Sequence, residues 1–254
     1  MNSEASVNEV AVIVGGGPGI SASCARRFSR EGMRVVVAAR NPDKPALMQL
    51  EADCGIFRRS CDATRAESVA ALFDSVEEEL GTPRLVVHNI DGRFAEIFRK
   101  DIIDADPAHV ARVLENSALS AFLVGQHAAR CMLGRDIPEG GQRGTILYTN
   151  ASAAIKGFPR SAAFAMACHA KKGLAQSMAR ELGPQGIHVA QIPIDAAIGN
   201  TQEDGSRAHW LGGPTEEDNM ADPDHIAETY LHLHRQHRST WAFEVALRPW
   251  TETW

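Results

Sequence analysis

Tyrosine is nearly missing from this chain: 254 residues hold only Tyr148 and Tyr230. Any reaction that needs a phenol as its acid must use one of those two. Cysteine is sparse and scattered. Cys24, Cys54, Cys61, Cys131 and Cys168 make no C-x-x-C pair and match no histidine spacing, which excludes a zinc ribbon and fits reduced thiols in a cytoplasm. Positive charge is in deficit, with 26 Lys+Arg against 32 Asp+Glu, a net charge of −6. That balance argues against a dedicated nucleic-acid binder, whose affinity comes from neutralising phosphates. No long uninterrupted apolar run exists, so no membrane partner is expected. The segment from Met1 to Glu9 is polar and acidic, unlike a secretory signal or a basic transit peptide, and a cytoplasmic location is expected.

What is present is an apolar fraction of 44%, too high for disorder, on a chain long enough for a sizeable core. Short β-branched runs at Val10–Val14, Val35–Ala39, Leu85–Val87, Thr145–Tyr148, Ile187–Ile194 and Trp241–Leu247 alternate with amphipathic stretches of helix length. Those stretches are Ile20–Arg30, Ala66–Leu80, His109–Met132 and Phe164–Leu182. This rhythm predicts parallel strands joined by helical crossovers. No repeat or linker divides the chain, so residues 1–254 read as one α/β domain with helices on both faces of a doubly wound sheet.

Two segments break the rhythm. Gly134–Gly144 reads as a surface loop. Gly199–Ala221 reads as a substrate lid, with Trp210 and Leu211 to close with, or as a plain excursion. His232, His234 and His237 offer at most a metal pair and no third ligand; a solvated helix surface is the preferred reading, and no metal is expected.

After the first strand comes Gly15-Gly16-Gly17-Pro18-Gly19-Ile20-Ser21, then a helix. Glycines admit backbone conformations closed to other residues, and a helix N-terminus offers unpaired N–H groups to a pyrophosphate. Gly15, Gly17, Gly19 and Ile20 are therefore candidate dinucleotide-binding residues. At the end of the second strand Arg40 follows Ala38-Ala39, where an acid would accept from a ribose 2′-OH. A guanidinium there forks onto a 2′-phosphate and favours NADP(H), or it stacks on adenine.

These residues resemble the short-chain dehydrogenase/reductase family over essentially the whole chain, which implies a single Rossmann-type sheet. The family's G-x-x-x-G-x-G turn matches Gly15, Gly19 and Ser21, with serine in place of the third glycine. Its adenine-binding acid matches Asp62, its N-N-A-G motif is matched to His88-Asn89-Ile90-Asp91, and its helix-four asparagine matches Asn116. Ile194-Asp195 stands where a proline–glycine normally follows the sixth strand. Asn89 and Ile198 join the cofactor-binding candidates. The resemblance also implies a dimer or tetramer built through His109–Met132 and Phe164–Leu182. The tryptophans near the end, Trp241, Trp250 and Trp254, pack on a neighbouring subunit or close their own core.

The catalytic serine, tyrosine and lysine of the family fall at Ala151, Phe164 and Cys168, so three of four catalytic positions are changed and Asn116 alone is kept. A one-residue slip offers Ser152 in the serine role. Lys171 shares the face of Phe164 but starts about two helical turns away at about 1.5 Å per residue, which reads as too far to replace the missing lysine. Reducing a ketone needs a hydride and a proton, and phenylalanine cannot donate one. Each lost donor removes about 10²-fold from carbonyl reduction. An iminium carries its own charge, and Phe164 would stack on an aromatic cation. Asp195 is a candidate for holding an amine or shuttling a proton, or else caps a loop; Asp91 reads first as a tight-turn residue. Cys168 reads as packing rather than as a nucleophile.

The expectation is an NADPH-dependent oxidoreductase that transfers hydride to an activated double bond of a small molecule, imines first. The alternatives are a silent NADP(H)-binding pseudoenzyme and a carbonyl reductase with a substitute acid. A lyase or dehalogenase on the same scaffold ranks last.

Overall fold

The computed structural model describes residues 8–137, 141–201, 207–209, 212–214 and 219–253. Six strands form one parallel sheet: β1 (Val10–Val14), β2 (Arg34–Ala39), β3 (Phe57–Ser60), β4 (Pro83–His88), β5 (Gly144–Ala151) and β6 (Ile187–Ile194), in the order β3-β2-β1-β4-β5-β6. Strand side chains alternate between faces. Ala11 and Ile13 join the layer holding α1 (Ile20–Arg30), α2 (Pro45–Cys54) and α7 (Pro223–Arg235). Val10, Val12 and Val14 join the layer holding α3 (Ala66–Leu80), α5 (Ser120–Leu133) and α6 (Ala162–Leu182). Both faces are covered, so the strands are apolar almost throughout. The strand order reverses between β1 and β4, and the crevice at the carboxyl ends of these strands is where such sheets bind ligands.

Between α4 (Pro107–Leu114) and α5 the helix takes one π turn, Glu115–Leu119, which carries Asn116 toward the loop after β4. Three short strands, β7 (Asn200–Thr201), β8 (Arg207–His209) and β9 (Gly212–Pro214), form a separate antiparallel sheet in the segment read as a lid. Trp210, Leu211 and Trp254 lie outside the described residues.

The structure corrects three expectations. First, the run Trp241–Leu247 is not a continuous strand; it touches β6 through isolated bridges, Glu244 to Gln191 and Leu247 to Ile194. Second, the stretch between Ala39 and Ala66, which carries no element in the sequence rhythm, holds α2 and β3. Arg58 and Arg59 give β3 no apolar pattern, and as an edge strand it needs one less than its neighbours do. Third, His234 is not solvated: it is buried, with Nδ1 2.9 Å from Thr145 Oγ1 and Nε2 3.3 Å from Glu9 Oε2. α7 packs inward against α1, so this histidine faces the sheet while His237 stays exposed. Among the described residues no group of side chains has metal-ligand geometry, and no helix is long and apolar enough to cross a membrane.

Candidate active site

The glycine turn is held by backbone and one serine. Gly15 has φ +108°, and a Cβ there would strike the carbonyl of Asn89. Only glycine fits such a place, because the conformation and the space both exclude a side chain. The amides of Gly15 and Gly16 donate to Ala38 O at 2.9 and 3.0 Å, pinning the turn to β2. Ser21, where the family has glycine, donates to Gly15 O at 2.8 Å and accepts from Asn89 Nδ2 at 2.7 Å. The serine therefore ties the turn to the end of β4, a role the sequence pattern did not suggest. Gly17 meets nothing within 4 Å of an added Cβ and stands open, with Gly19 as the cap of α1.

Two cavities flank this turn across the switch point. The first, about 250 Å³, is lined by Gly15, Gly16, Ala38, Ala39, Arg40, Lys44, Asp62 and Asn116, among others. Asp62 accepts from the hydroxyl and amide of Thr64 at 2.7 and 3.1 Å. The Thr64 hydroxyl holds the carboxyl below the usual range against the opposing effect of burial, with help from the Thr64 amide and the Arg40 charge. Arg40 and Lys44 place two cations at the end of β2, and Lys44 was missed by sequence reading. Asn116 lines this cavity and donates to Gly92 O at 3.3 Å.

The second cavity, about 450 Å³, runs from Pro18, Gly19 and Ile20 past Asn89, Ile90 and Asp91 to Ala151, Phe164, Cys168, Lys171 and Ile198. The two cavities share Asn89, Ile90 and Asp91, so a trough runs over the glycine turn and the N-terminus of α1. A trough with a donor-lined middle and an Asp–Arg–Lys end fits a dinucleotide phosphate bridge with adenosine at the Asp62 end.

The register of the loop after β4 shifts by one from the sequence reading. The left-handed turn is at Gly92, φ +84°, where a Cβ would meet Ser117 at 2.8 Å; Asp91 is not the turn residue. Asp91 instead chelates the guanidinium of Arg93, with Nε–Oδ1 2.9 Å and Nη2–Oδ2 2.8 Å. That guanidinium lies 4.2 Å from the centre of the Phe164 ring. The ring face expected to receive a substrate cation thus holds one of the chain's own.

Lys171 is the largest correction. It is 2% exposed and lines the same cavity as Phe164 and Cys168. Its Nζ donates to Ile90 O at 2.9 Å and Thr149 O at 3.2 Å, at the carboxyl ends of β4 and β5. Helical side chains slope toward the N-terminus, so a lysine covers the turn before its own Cα, and α6 starts at this edge of the sheet. Distance counted between Cα atoms ignored that slope and the length of the side chain. The usable signal was the stripe Phe164, Cys168, Lys171, spaced four and three. Burial lowers the ammonium from its ordinary 10.5 to about 8, against the opposing pull of Cys168 and Asp91. Burial pushes the Cys168 thiol up to about 11, so it is no thiolate at neutral pH and serves as packing.

Neither tyrosine reaches the trough as an acid. Tyr148 is buried against Met178 Sδ at 3.1 Å, and Tyr230 bonds Thr149 Oγ1 at 2.7 Å. Burial drives both phenols well above their ordinary range. Ser152 opens into a neighbouring cavity, not this one. Asp195 lines neither part of the trough; its carboxylate meets Lys156 Nζ at 3.1 Å, so it is held by an ion pair rather than free to bind an amine.

Comparison with known proteins agrees with this architecture. Residues 15–241 match the family model described as Enoyl-(Acyl carrier protein) reductase. Momilactone A synthase of Oryza sativa subsp. japonica is 32% identical over 185 residues, covering 72% of this chain and 64% of the rice protein, less than two thirds of that relative's length. A short-chain dehydrogenase from Rhodopseudomonas palustris superposes with TM-score 0.76 at 30% identity, over 96% of this chain and 99% of that one. A metagenomic short-chain oxidoreductase in complex with NADP shares the fold, with TM-score 0.77 at 21% identity over 99% of this chain and 100% of that one. The chain belongs to the short-chain dehydrogenase/reductase family.

Proposed function

We propose that this protein is an NADP(H)-dependent reductase of activated double bonds, with imines as the first substrate class. The observation that carries the reading is Lys171, a buried lysine with a pKa near 8 in the cavity where the family's phenol is missing. Efficient proton donors have pKa values near the working pH. An imine nitrogen is basic enough to accept a proton from such a group before hydride arrives. A ketone oxygen is not, and the family's hydroxyl donors are gone from residues 151 and 164.

When bound, NADPH supplies the hydride. The chain's own residues do the rest. The α1 N-terminus and the Ser21–Asn89 tie hold the phosphate turn, and Arg40 with Lys44 favours a 2′-phosphate over a bare ribose. Cys168 and Phe164 give the reacting end one apolar wall, beside the Asp91–Arg93 pair and Lys171. Two protons of Lys171 are committed to Ile90 O and Thr149 O, and the third is available to the substrate. The product is an amine, formed from one hydride and one proton. Exposed Leu119, Phe122 and Met166 on the helices around Asn116 and on α6 support a homo-oligomer.

A second reading has its own observation. The Asp91–Arg93 pair covers the Phe164 ring, which suits a protein that binds NADP(H) without turnover. One experiment separates the two: titrate NADPH and NADH by fluorescence, then follow NADPH oxidation with cyclic imines, enones and ketones. Imine turnover with slow ketones is the expected result. Binding without turnover of any class would leave the silent reading, and rapid ketone reduction would overturn the argument from lost donors.

A further inference from the structure

A third cavity, about 640 Å³, opens from the reacting end of the trough. The two share Arg93, Ala151, Phe164, Ile194 and Ala196, so a substrate placed against Phe164 extends into it. Its lining holds Arg93, Arg99 and Arg160 but no aspartate or glutamate. Arg93 is neutralised by Asp91. Neither Arg99 nor Arg160 has an ion-pair partner among the described residues; Arg99 rests 5.4 Å from the Phe98 ring centre. Phe98, Phe158 and Phe164 supply the apolar walls.

The backbone marks the same two arginines. Among the described residues only Asn8, Arg99 and Arg160 are non-glycine residues at positive φ, and Arg99 (+53°) and Arg160 (+58°) both line this cavity. Such conformations cost free energy in a residue with a Cβ and concentrate at ligand sites. Glycine or asparagine would take that conformation at lower cost. The cost is borne by two long, exposed cations on two loops that both line one cavity, the first after β4 and the second before α6.

We infer that this cavity selects an anionic substrate: a molecule with a carboxylate or phosphate group held by Arg99 and Arg160 and an apolar body against Phe158 and Phe164. Guanidinium groups fork onto both anions through paired hydrogen bonds. The inference deepens the reductase reading, on which it rests for the site's identity, by naming what the substrate carries at the end remote from the reducible bond.

The test needs neither cofactor nor turnover. Calorimetry on the full chain compares 3-phenylpropionate and phenyl phosphate with neutral 3-phenylpropanamide at low and moderate salt. At least one anion should bind about tenfold or more tighter than the amide, with the gap narrowing as salt screens the charge. Which anion leads distinguishes a carboxylate from a phosphate substrate. Arg99→Gln with Arg160→Gln should abolish the gap. Arg160→Gly keeps the test independent of folding: it relieves the left-handed backbone, so the melting temperature holds or rises while the anion preference falls. Equal binding of amide and anions, or a gap that survives the double substitution, overturns the inference. Turnover of a neutral imine with no anion preference would sink it and leave the reductase reading intact. Anion preference without turnover would do the reverse.

Discussion

The two halves of this molecule keep different amounts of the family's residue pattern. From β1 to β4 the chain keeps most of the features the family pattern leads one to expect at a nucleotide site: glycine turn, Asp62, Asn89 and a left-handed Gly92. From β5 to α6 the reacting side chains have been replaced at Ala151, Phe164 and Cys168. The binding proposed for the first half would rest on backbone N–H groups and a helix end, which tolerate a change such as Ser21 for glycine. Chemistry in the second half rests on side-chain atoms, which a single substitution removes. Yet α6 still delivers a titratable group to the same cavity from one step further along its stripe.

The largest break in this contrast should come at Lys171. Lys171→Met is expected to lower imine turnover by about 10²-fold or more while leaving the NADPH dissociation constant within a few-fold. If turnover survives, water is the acid and the lysine is structural. The pH dependence checks the same claim. With the lysine as proton donor, kcat should fall as pH rises through about 8, where the ammonium is lost. Stability should move the other way. The folded-state pKa lies below the ordinary 10.5, so from about pH 8 to 10.5 the unfolded chain binds the extra proton and the folded protein gains stability as pH rises. Relative to Lys171→Met, wild type should gain up to about 3 kcal/mol across that window in denaturant melts.

The converse experiment rebuilds the family's side chains. Ala151→Ser, Phe164→Tyr and Cys168→Lys together restore the hydroxyls and a second ammonium. Ketone reduction should rise by about 10²-fold. The gain falls short of a full site if Arg93 still sits over the ring at residue 164. No gain at all would mean that the cavity no longer presents a carbonyl to the hydride.

How much of this was legible follows the same division. The strand–turn–helix at residues 10–30 and the switch-point crevice were readable because periodicity and glycine spacing report backbone directly, whereas the lost phenol was readable only through the resemblance to the family's pattern. Lys171 was not, because its placement depends on side-chain slope along α6 and on where that helix begins relative to the sheet edge. Asp195 was misread for a related reason. Its place at the end of β6 was right, but its carboxylate is paired with Lys156, thirty-nine residues earlier in the chain, and lines neither part of the trough. The pairing of Asp91 with Arg93 and the stacking of Arg93 on Phe164 are likewise contacts that no spacing rule predicts.

Within the β1–β4 half, Arg40→Gln sharpens the cofactor claim. It should weaken NADPH binding by about tenfold and leave NADH within a factor of about two, because only the 2′-phosphate meets the guanidinium. Equal losses for both cofactors would assign Arg40 to adenine stacking instead. Lys44 in the same cavity sets the limit on the effect, since its charge remains.

The smallest effect belongs to Ser21. Ser21→Ala removes one hydrogen bond to Gly15 O and one from Asn89 Nδ2. Gly15 and Asn89 are only partly buried, so water replaces much of what is lost, and the cost should be about 1 kcal/mol in unfolding free energy. The turn itself remains pinned, because the Gly15 and Gly16 amides still reach Ala38 O and the Asn89 amide still reaches Val14 O. NADPH affinity should therefore drop by only about threefold. A loss of 10²-fold would show that the serine, not the backbone, shapes the phosphate turn, and the contrast between a backbone-built half and a side-chain-built half would fail at its better-preserved end.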